Sequence, residues 1–290
     1  MKCLSIKGFQ EKYLFLKIKK IVKKLKINYN KYYHHIFIQY ILCMRYEMIN
    51  GLQQVYKDYT IEDFEVWKIL YERQMPALKT HASQEYLDGI QNIKFNSNHI
   101  PNILDTNKLL QQQTGWELVV VPGIIKEPDF FTLLSQKKFP ATTWLRKKEQ
   151  LDYLPEPDMF HDVFGHVPLL TNFHFTAFFQ SIGLLGIEHL QNEKIITMLG
   201  RLYWFTIEFG LIKTNNATKI YGAGIISSYS ETKFSLSNEP KHISYNAPLI
   251  MHTPYENDHI QDTYYVIDSF EQLYLSIETI KEEINKLLIS

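Results

Sequence analysis

Two histidines, five positions apart, lie in an apolar segment bounded by prolines, "PEPDMFHDVFGHVP" (residues 155–168). Imidazoles in such a segment can bind a transition metal, or they can be ordinary hydrogen-bonded histidines. On a continuous α-helix, five steps of about 100° each would point His161 and His166 apart. Because Gly165 and Pro168 indicate that the helix stops, we expect the second ring to turn back toward the first. The spacing alone leaves a metal site and two unrelated histidines both open.

A third candidate ligand is Glu208, which lies within "YWFTIEFGLI" (residues 203–212). A carboxylate among large apolar residues is costly to bury unless it is protonated, paired or bound to a cation. No lysine or arginine lies within one helical turn of it. Two neutral imidazoles and one carboxylate form the facial set that binds non-haem Fe(II) and leaves coordination positions open. A catalytic zinc site uses the same ligand types, but the sequence has no HExxH helix, which favours iron.

A mainly α-helical chain with a few short β-strands is predicted to position these side chains. The clearest helix starts at an N-capping Thr60 and has Phe64, Trp67, Leu70 and Tyr71 on one stripe. Five other helices are predicted: one over Ser83–Ile93, one after a capping Asp105, one near Pro128, a buried central helix over Gly200–Lys213, and one capped terminal helix over residues 268–288 with Tyr274 inward. A strand is predicted in "WELVVVPG", and a strand or turn region in "KIYGAGIISSYSE".

Three ordered motifs carry a family resemblance. "PDMFHDVFGHVP" resembles the iron-binding signature of the pterin-dependent aromatic amino acid hydroxylases, and "YWFTIEFGL" and "YGAGIISSYSE" resemble the next two motifs of that family in the same order. Together with "RQMPAL", "TGWELVVVPG" and "FPATTWLRKKEQLDYLPEPD", the resemblance covers roughly residues 56–275 and is greatest to bacterial phenylalanine 4-hydroxylases. It implies the single-domain catalytic fold of that family.

The resemblance also implies roles for individual residues. It implies that the metal and catalytic ligands are His161, His166 and Glu208, that the substrate carboxylate is held by Arg146 and Ser227, and that the pterin is contacted by a stacking Phe130, by backbone from Gly123 to Ile125, and by a pocket that includes Asp162 and Tyr203. Two positions depart from the animal members. Leu154 replaces a threonine and Asp162 replaces a glutamate, so binding of the substrate carboxylate is expected to depend more on Arg146.

The activity implied is hydroxylation of L-phenylalanine to tyrosine by O2, with Fe(II) and a tetrahydropterin such as tetrahydrobiopterin as cofactors. Hydroxylation of tryptophan or tyrosine on the same core is the first alternative, because ring selection depends on the shape of the pocket. A catalytically silent metal- or pterin-binding module and a zinc-dependent amidohydrolase are the others. No side chain has to act as a general base in the implied reaction, since the cofactors carry out the redox chemistry.

Charge is divided unevenly along a chain whose formal net charge is zero. Residues 1–47 carry 11 lysines and arginines against 2 acids, which leaves 20 basic and 29 acidic side chains in the other 243 residues. An acidic body argues against nucleic acid as the main partner. No run approaches the roughly 18 apolar residues of a membrane span. We therefore expect small-molecule partners, no nucleic acid and no membrane span.

Residues 1–47 are expected to be a basic N-terminal extension, poorly ordered or dispensable, and residues 48–290 the catalytic domain. A basic amphipathic stretch at residues 14–25 leaves a membrane-surface or organelle address open. Cys3 and Cys43, the only two cysteines, lie in the extension, so the body has no disulfide framework and a cytoplasmic location is favoured. The last predicted helix has no sustained heptad, so we expect a monomer.

Overall fold

The computed structural model describes residues 52–215, 217–256 and 259–289. The predicted extension of residues 1–47, with both cysteines and the basic amphipathic stretch, lies outside the described residues. Within them, no helix is both long enough and apolar enough to cross a membrane. The described part of the chain is mainly helical and has few strands, which confirms the predicted fold class.

Helix α1 (Ile61–His81) begins at a capping box. The Thr60 side chain accepts a hydrogen bond from Asp63 N (3.3 Å), and Asp63 Oδ2 accepts one from Thr60 N (2.7 Å). These bonds satisfy two of the backbone N–H groups that a helix start leaves without an intrahelical partner. Trp67 and Leu70 of the predicted stripe are buried. Its other two members, Phe64 and Tyr71, are partly buried against the same core.

The other helices mostly begin at a serine or asparagine whose side chain accepts a hydrogen bond from the backbone N–H three residues later. The predicted cap at Asp105 is wrong, because Asn102 is the cap and Asp105 lies in the first turn. The helices after α1 are α2 (Gln84–Asn92), α3 (Ile103–Gln113), α4 (Glu127–Ser135), α5 (Phe173–Glu188), α6 (Glu193–Tyr203), α7 (Ala223–Ser227), α8 (Tyr229–Phe234), α9 (Ala247–His252), α10 (Phe270–Leu275) and α11 (Ile277–Ile289).

Two π-helices interrupt this α-helical scaffold, and each carries candidate metal ligands. We call Phe160–His166 the histidine π-helix and Trp204–Glu208 the glutamate π-helix. The histidine π-helix continues into a 3₁₀ helix, Val167–Thr171, and the glutamate π-helix directly follows α6. Single-turn π-helical segments are rare and occur often at functional sites.

The described strands form two small sheets. Strands β1 (Glu117–Val120) and β2 (Lys138–Ala141) pair in parallel, with Leu118 opposite Phe139, and β1 confirms the strand predicted in "WELVVVPG". The second sheet has the order β4-β3-β6-β5, in which β3 is antiparallel to β4 and β6 is parallel to both of its neighbours. Its strands are β3 (Leu211–Lys213), β4 (Thr218–Ile220), β5 (Lys241–Ser244) and β6 (Thr263–Ile267).

The predicted central helix over Gly200–Lys213 is wrong beyond Glu208. The helical segment ends there, and Leu211 already belongs to strand β3. Gly210 allows the change of direction, because a Cβ at this position would lie 2.3 Å from the Thr206 carbonyl oxygen. A segment that is apolar on all sides has the same hydrophobic pattern in a buried helix and in a buried strand, so the pattern could not locate this boundary.

Two further predictions need correction. The region "KIYGAGIISSYSE" is a strand only in β4 and then forms α7 and α8. The single terminal helix is divided into α10 and α11 at Ser276, whose hydroxyl donates to the Leu273 carbonyl (2.7 Å) and contacts the Tyr245 hydroxyl (2.7 Å). Tyr274, predicted inward, is 37% exposed. Local hydrogen bonding by serine competes with helix continuation, and hydrophobic periodicity does not register it.

An aromatic cluster fixes the histidine π-helix to α1 and α2. Phe160 and Phe164 stack with their ring centres 4.5 Å apart, and the Trp67 ring packs edge-on against Phe160 at 5.6 Å. The Tyr86 hydroxyl donates to the Phe164 carbonyl (2.9 Å). Edge-on and stacked aromatic pairs add about 0.5–1.5 kcal/mol each beyond their buried area. The cluster therefore stabilises the backbone from which both histidines project.

Phe164→Ala is expected to destabilise the fold by about 3–5 kcal/mol, because it leaves a cavity among fully buried rings. The measurement is the free energy of unfolding from urea titration. Leu104→Ala is the control, because Leu104 is 72% exposed and its truncation should change the free energy of unfolding by less than about 0.5 kcal/mol. Equal effects of the two substitutions would contradict the role given to the cluster.

Candidate active site

The histidine π-helix brings His161 and His166 together. A π-helix closes hydrogen bonds between residues five apart and has more residues per turn than an α-helix, so two side chains five positions apart point in more similar directions than they would on an α-helix. The two imidazole ring centres are 5.2 Å apart. The predicted convergence is therefore present, but its predicted cause is wrong. The chain does not break at Gly165, and the wider helical turn itself aligns the two side chains.

Glu208, at the end of the glutamate π-helix, faces both histidines. Its Oε1 is 3.1 Å from His166 Nε2, and its Oε2 is 3.6 Å from His161 Nε2. One ligand atom from each of the three residues lies within 4.8 Å of the others. This is the one group of three or more histidine, cysteine and acidic residues in the described part of the chain that could hold a metal ion. The three predicted ligands thus converge.

The charges at this site fit a divalent cation. Burial alone would raise the pKa of Glu208, but the two histidines and the Tyr203 hydroxyl lower it to about 2. The buried carboxylate is therefore ionised at neutral pH and requires compensating positive charge. With a divalent metal, both imidazoles can be neutral donors, which is the state in which histidine binds metal ions.

Ser227, at the end of α7, orients His161. Its Oγ lies 2.9 Å from His161 Nδ1, so the opposite ring nitrogen, Nε2, is the one directed toward Glu208. Such a partner on the second ring nitrogen fixes the tautomer and the ring plane of a metal-binding histidine. The corresponding atom of His166, Nδ1, is buried and has no hydrogen-bond partner among the residues that the structure describes. The resemblance had placed Ser227 at the substrate carboxylate, and the structure shows its contact with the imidazole.

Arg146 is buried and paired with Asp158. Asp158 is fully buried and accepts from Arg146 Nε (2.9 Å), Arg146 Nη2 (2.9 Å) and the Arg146 backbone N–H (3.0 Å). The same carboxylate accepts from the backbone N–H of His161 (3.1 Å). Sequence reasoning did not single out Asp158. Its position 12 residues after Arg146, directly before the apolar start of the histidine π-helix, was the available signal.

Asp162 and Tyr203 complete the polar lining. Asp162 Oδ2 accepts from both the backbone N–H (2.8 Å) and the hydroxyl (2.9 Å) of Thr142, at the end of β2. Burial raises the pKa of Asp162, and the nearby histidines and Thr142 oppose that effect. The Tyr203 hydroxyl lowers the pKa of Glu208, and the Tyr203 ring stacks on His166 with ring centres 6.4 Å apart. Both residues therefore adjoin the three ligands, as the resemblance implied.

The residues predicted to contact a pterin lie on and before α4. The Phe130 ring is partly buried and packs edge-on against Tyr203, with ring centres 5.2 Å apart. Gly123 and Ile125 lie in the loop that joins β1 to α4. Within the described part of the chain, no atom lies within 4 Å of the position that a Cβ on Gly123 would occupy, so the described residues leave its backbone accessible from that side. Phe130 and Tyr203 thus connect this loop region to the metal ligands.

A mainly helical fold with a buried two-histidine, one-glutamate site defines this chain as a mononuclear metal protein of the facial-triad class. The model of the biopterin-dependent aromatic amino acid hydroxylases matches residues 26–289, and the chain belongs to that family. Phenylalanine-4-hydroxylases of Ralstonia nicotianae and Pseudomonas aeruginosa are both 44% identical to it, over 77% and 74% of this chain and 71% and 82% of theirs. A structure of Chromobacterium violaceum phenylalanine hydroxylase with bound iron(III) and 7,8-dihydrobiopterin is 41% identical and superposes with a TM-score of 0.77, covering 81% of this chain and 86% of that one.

Glu208→Gln is expected to lower the affinity for Fe(II) at least about 100-fold, because it preserves shape but removes the charge that compensates the cation. The measurement is competition with a chelator under anaerobic conditions, followed by metal analysis. Glu239→Gln is the matched control at an exposed position. Full metal affinity in the Glu208 variant would show that the three residues do not form the binding site.

Ser227→Ala is expected to lower metal affinity by about 10–100-fold, because His161 loses the partner of its second ring nitrogen. The same chelator competition measures the effect. Ser228→Ala is the neighbouring control, since the Ser228 hydroxyl caps α8 and contacts neither histidine. A larger loss of metal affinity from the Ser228 variant would contradict the orienting role of Ser227.

Proposed function

We propose that the protein is an Fe(II)- and tetrahydropterin-dependent monooxygenase that converts L-phenylalanine to tyrosine with O2. The observation that carries this proposal is the convergence of His161, His166 and Glu208 in a member of this family. The names of the relatives with 44% identity support phenylalanine as the substrate. The bound groups in the related Chromobacterium violaceum structure support iron and a pterin as cofactors.

The three ligands would occupy one face of the metal and leave the other positions for reactants. When bound, Fe(II) and the reduced pterin supply the electrons for O2 activation and ring oxygenation. His161 is held in one tautomer by Ser227, and the Tyr203 hydroxyl favours the ionised form of Glu208 by lowering its pKa. The contribution of the protein is to orient these groups and to exclude water from the reacting centre.

Arg146 is the proposed partner of the substrate carboxylate, and its pairing with Asp158 determines how it can act. Asp158 occupies Nε and Nη2, so the substrate would bind at the remaining Nη1 edge of the guanidinium. A planar guanidinium can bind two carboxylates at different edges, whereas an ammonium group lacks this geometry. Because Asp158 also accepts from the His161 backbone N–H, one carboxylate positions both Arg146 and a metal ligand.

The pterin is proposed to stack on Phe130 and to hydrogen-bond with backbone between Gly123 and Ile125. Phe130 is only partly buried, which leaves part of its ring available to another planar group. Its edge-on contact with Tyr203 restricts the ring orientation. Offset stacking of aromatic systems is favourable and selects the plane in which a cofactor binds. Asp162 and Tyr203 would then lie between the bound pterin and the three metal ligands and line the pocket on both sides.

The decisive experiment is anaerobic reconstitution with Fe(II) and tetrahydrobiopterin, followed by O2, with phenylalanine, tyrosine and tryptophan supplied in parallel. We expect tyrosine to form from phenylalanine, with one pterin consumed per product. Preferred turnover of tyrosine or tryptophan would favour the alternative ring selectivity. Binding of metal without any hydroxylation would favour a silent module, and activity with zinc alone in amide hydrolysis would favour an amidohydrolase.

We also propose a cytoplasmic monomer in which residues 1–47 are dispensable to the catalytic domain, residues 48–290. The cysteine-free body supports the cytoplasmic location, and the absence of a sustained heptad in α11 supports the monomer. The family match begins at residue 26, inside the proposed extension, so truncations that start at residues 26 and 48 should be compared. Both truncations are expected to match the full chain in turnover, iron content and sedimentation.

Arg146→Lys is expected to raise the KM for phenylalanine by about 10–100-fold, because the substitution loses charge-assisted hydrogen bonds of about 1.5–3 kcal/mol. Iron content should remain within twofold of wild type, since the three ligands are retained. Steady-state kinetics and metal analysis test both statements. The control is Lys147→Met, which removes an exposed charge next to Arg146. A near-normal KM in the Arg146 variant would place the substrate carboxylate elsewhere.

A further inference from the structure

We propose that Arg73 of α1 is a positioning residue for the amino acid substrate. It is the first residue of the segment "RQMPAL", to which the family resemblance assigned no role. Arg73 holds the loop that follows Arg146 (residues 147–157) against the segment that follows Ser227. This inference rests on the proposed function, because Arg146 is assigned there to the substrate carboxylate.

Arg73 contacts the loop through both ends of its guanidinium. Its Nη1 donates to Asp152 Oδ1 (2.6 Å), and its Nη2 donates to the Leu151 carbonyl (2.7 Å). The Arg73 side chain is 26% exposed and that of Asp152 is 89% exposed, so solvent screens the ion pair, and the partly buried bond to the Leu151 carbonyl is the firmer of the two. A planar guanidinium that binds a carboxylate and a backbone carbonyl together defines both the position and the orientation of the segment it holds.

The same guanidinium also contacts the segment after Ser227. Its central carbon lies 5.1 Å from the centre of the Tyr229 ring, at the start of α8. This is a distance at which a cation over an aromatic ring is stabilising, by about 0.5–1 kcal/mol at exposed sites. Arg73 therefore lies between a loop that starts next to Arg146 and a helix that starts two residues after Ser227.

The next residue of α1 holds the backbone on the other side of Ser227. Gln74 is 1% exposed, and its Nε2 donates to the Ile226 carbonyl (2.6 Å) and to Thr232 Oγ1 (3.1 Å). Two consecutive residues of one helix thus anchor the chain before and after Ser227. Helix α1 is 21 residues long and packs on the aromatic cluster, so it is a rigid reference for both segments.

Other contacts between α1 and the loop are weaker. Lys147 lies 3.7 Å from Glu62, and Lys148 pairs with Glu65, but these four side chains are 37–55% exposed. Exposed ion pairs contribute about 0–1 kcal/mol each. Beyond them the loop carries Tyr153, which is 71% exposed and has little packing to hold it. Among the described contacts, Arg73 thus provides the side-chain hydrogen bonds from α1 to residues 151 and 152, in the middle of the loop.

The test compares Arg73→Met, Arg73→Lys and a control, Lys68→Met, in the full-length iron-loaded enzyme. Lys68 lies on the same helix, and its pair with Glu72 is exposed. The readouts are the Kd of phenylalanine by calorimetry, the KM values for phenylalanine and tetrahydrobiopterin, iron content, and the rate of trypsin cleavage after Lys147 and Lys148. The cleavage assay needs neither substrate nor turnover, so it tests the tether even if phenylalanine is not the substrate.

We expect Arg73→Met to raise both the Kd and the KM for phenylalanine by about tenfold and to accelerate loop cleavage by about as much, which corresponds to the loss of about 1.4 kcal/mol of anchoring. Iron content and the KM for the pterin should stay within twofold of wild type. Arg73→Lys should recover part of the loss, because it keeps the charge but not the two aligned donors. Lys68→Met should leave all readouts unchanged.

Unchanged phenylalanine binding and unchanged loop cleavage in Arg73→Met would overturn the proposal. A parallel loss of iron, pterin and phenylalanine binding would also overturn it, because that result indicates a general structural role. If Arg73→Met does not fold, the double variant Asp152→Ala and Tyr229→Leu tests the same tether at two exposed positions. Wild-type values for that variant would equally exclude the positioning role.

Discussion

The Glu208 carboxylate is ionised and 8% exposed, and it lies between apolar elements, where an unpaired ion would cost several kcal/mol. Its compensation comes from His161, His166 and the cation that the three residues are arranged to hold. Metal binding and folding are therefore coupled here, because the same interaction completes the core and creates the site. Two further residues support that interaction, because Ser227 orients one imidazole and Tyr203 lowers the pKa of the carboxylate.

Both metal-binding segments are π-helical, and neither would be stable in isolation. A π-helix packs its backbone less favourably than an α-helix, so the surrounding structure must stabilise it. The histidine π-helix is stabilised by stacked Phe160 and Phe164 against Trp67, and by the bond from Tyr86 to its backbone. The glutamate π-helix is fixed by the Trp204 indole, which donates to Gln261 Oε1 (2.9 Å). The side chains that stabilise each π-helix thus come from residues distant in the chain.

The metal ligands of the site could be predicted from the sequence, whereas the residues that position those ligands could not. Two histidines and a glutamate in apolar segments already define a ligand set by residue type. Helix α1 could also be predicted, because the capping Thr60 and the apolar stripe are local signals in the sequence. The contact of Asp158 with Arg146 and that of Ser227 with His161 join residues 12 and 66 positions apart, which no local pattern encodes. The end of the helical segment at Glu208 was missed because β3 is as apolar as the helix before it.

The histidine π-helix has a consequence for how this gene can vary. A π-helical turn holds one residue more than the α-helical turn that would otherwise occupy its place. Loss of a single codon between His161 and His166 would leave the reading frame and the composition almost intact. The remaining spacing of four would suit an ordinary α-helical turn in the same place, but the side chains between the two histidines would change direction. Phe164, which packs on Trp67, Tyr86 and Phe160, is one of them. In-frame length changes that surface loops tolerate are therefore excluded from this short segment, even though its individual apolar residues could be exchanged for others of similar volume.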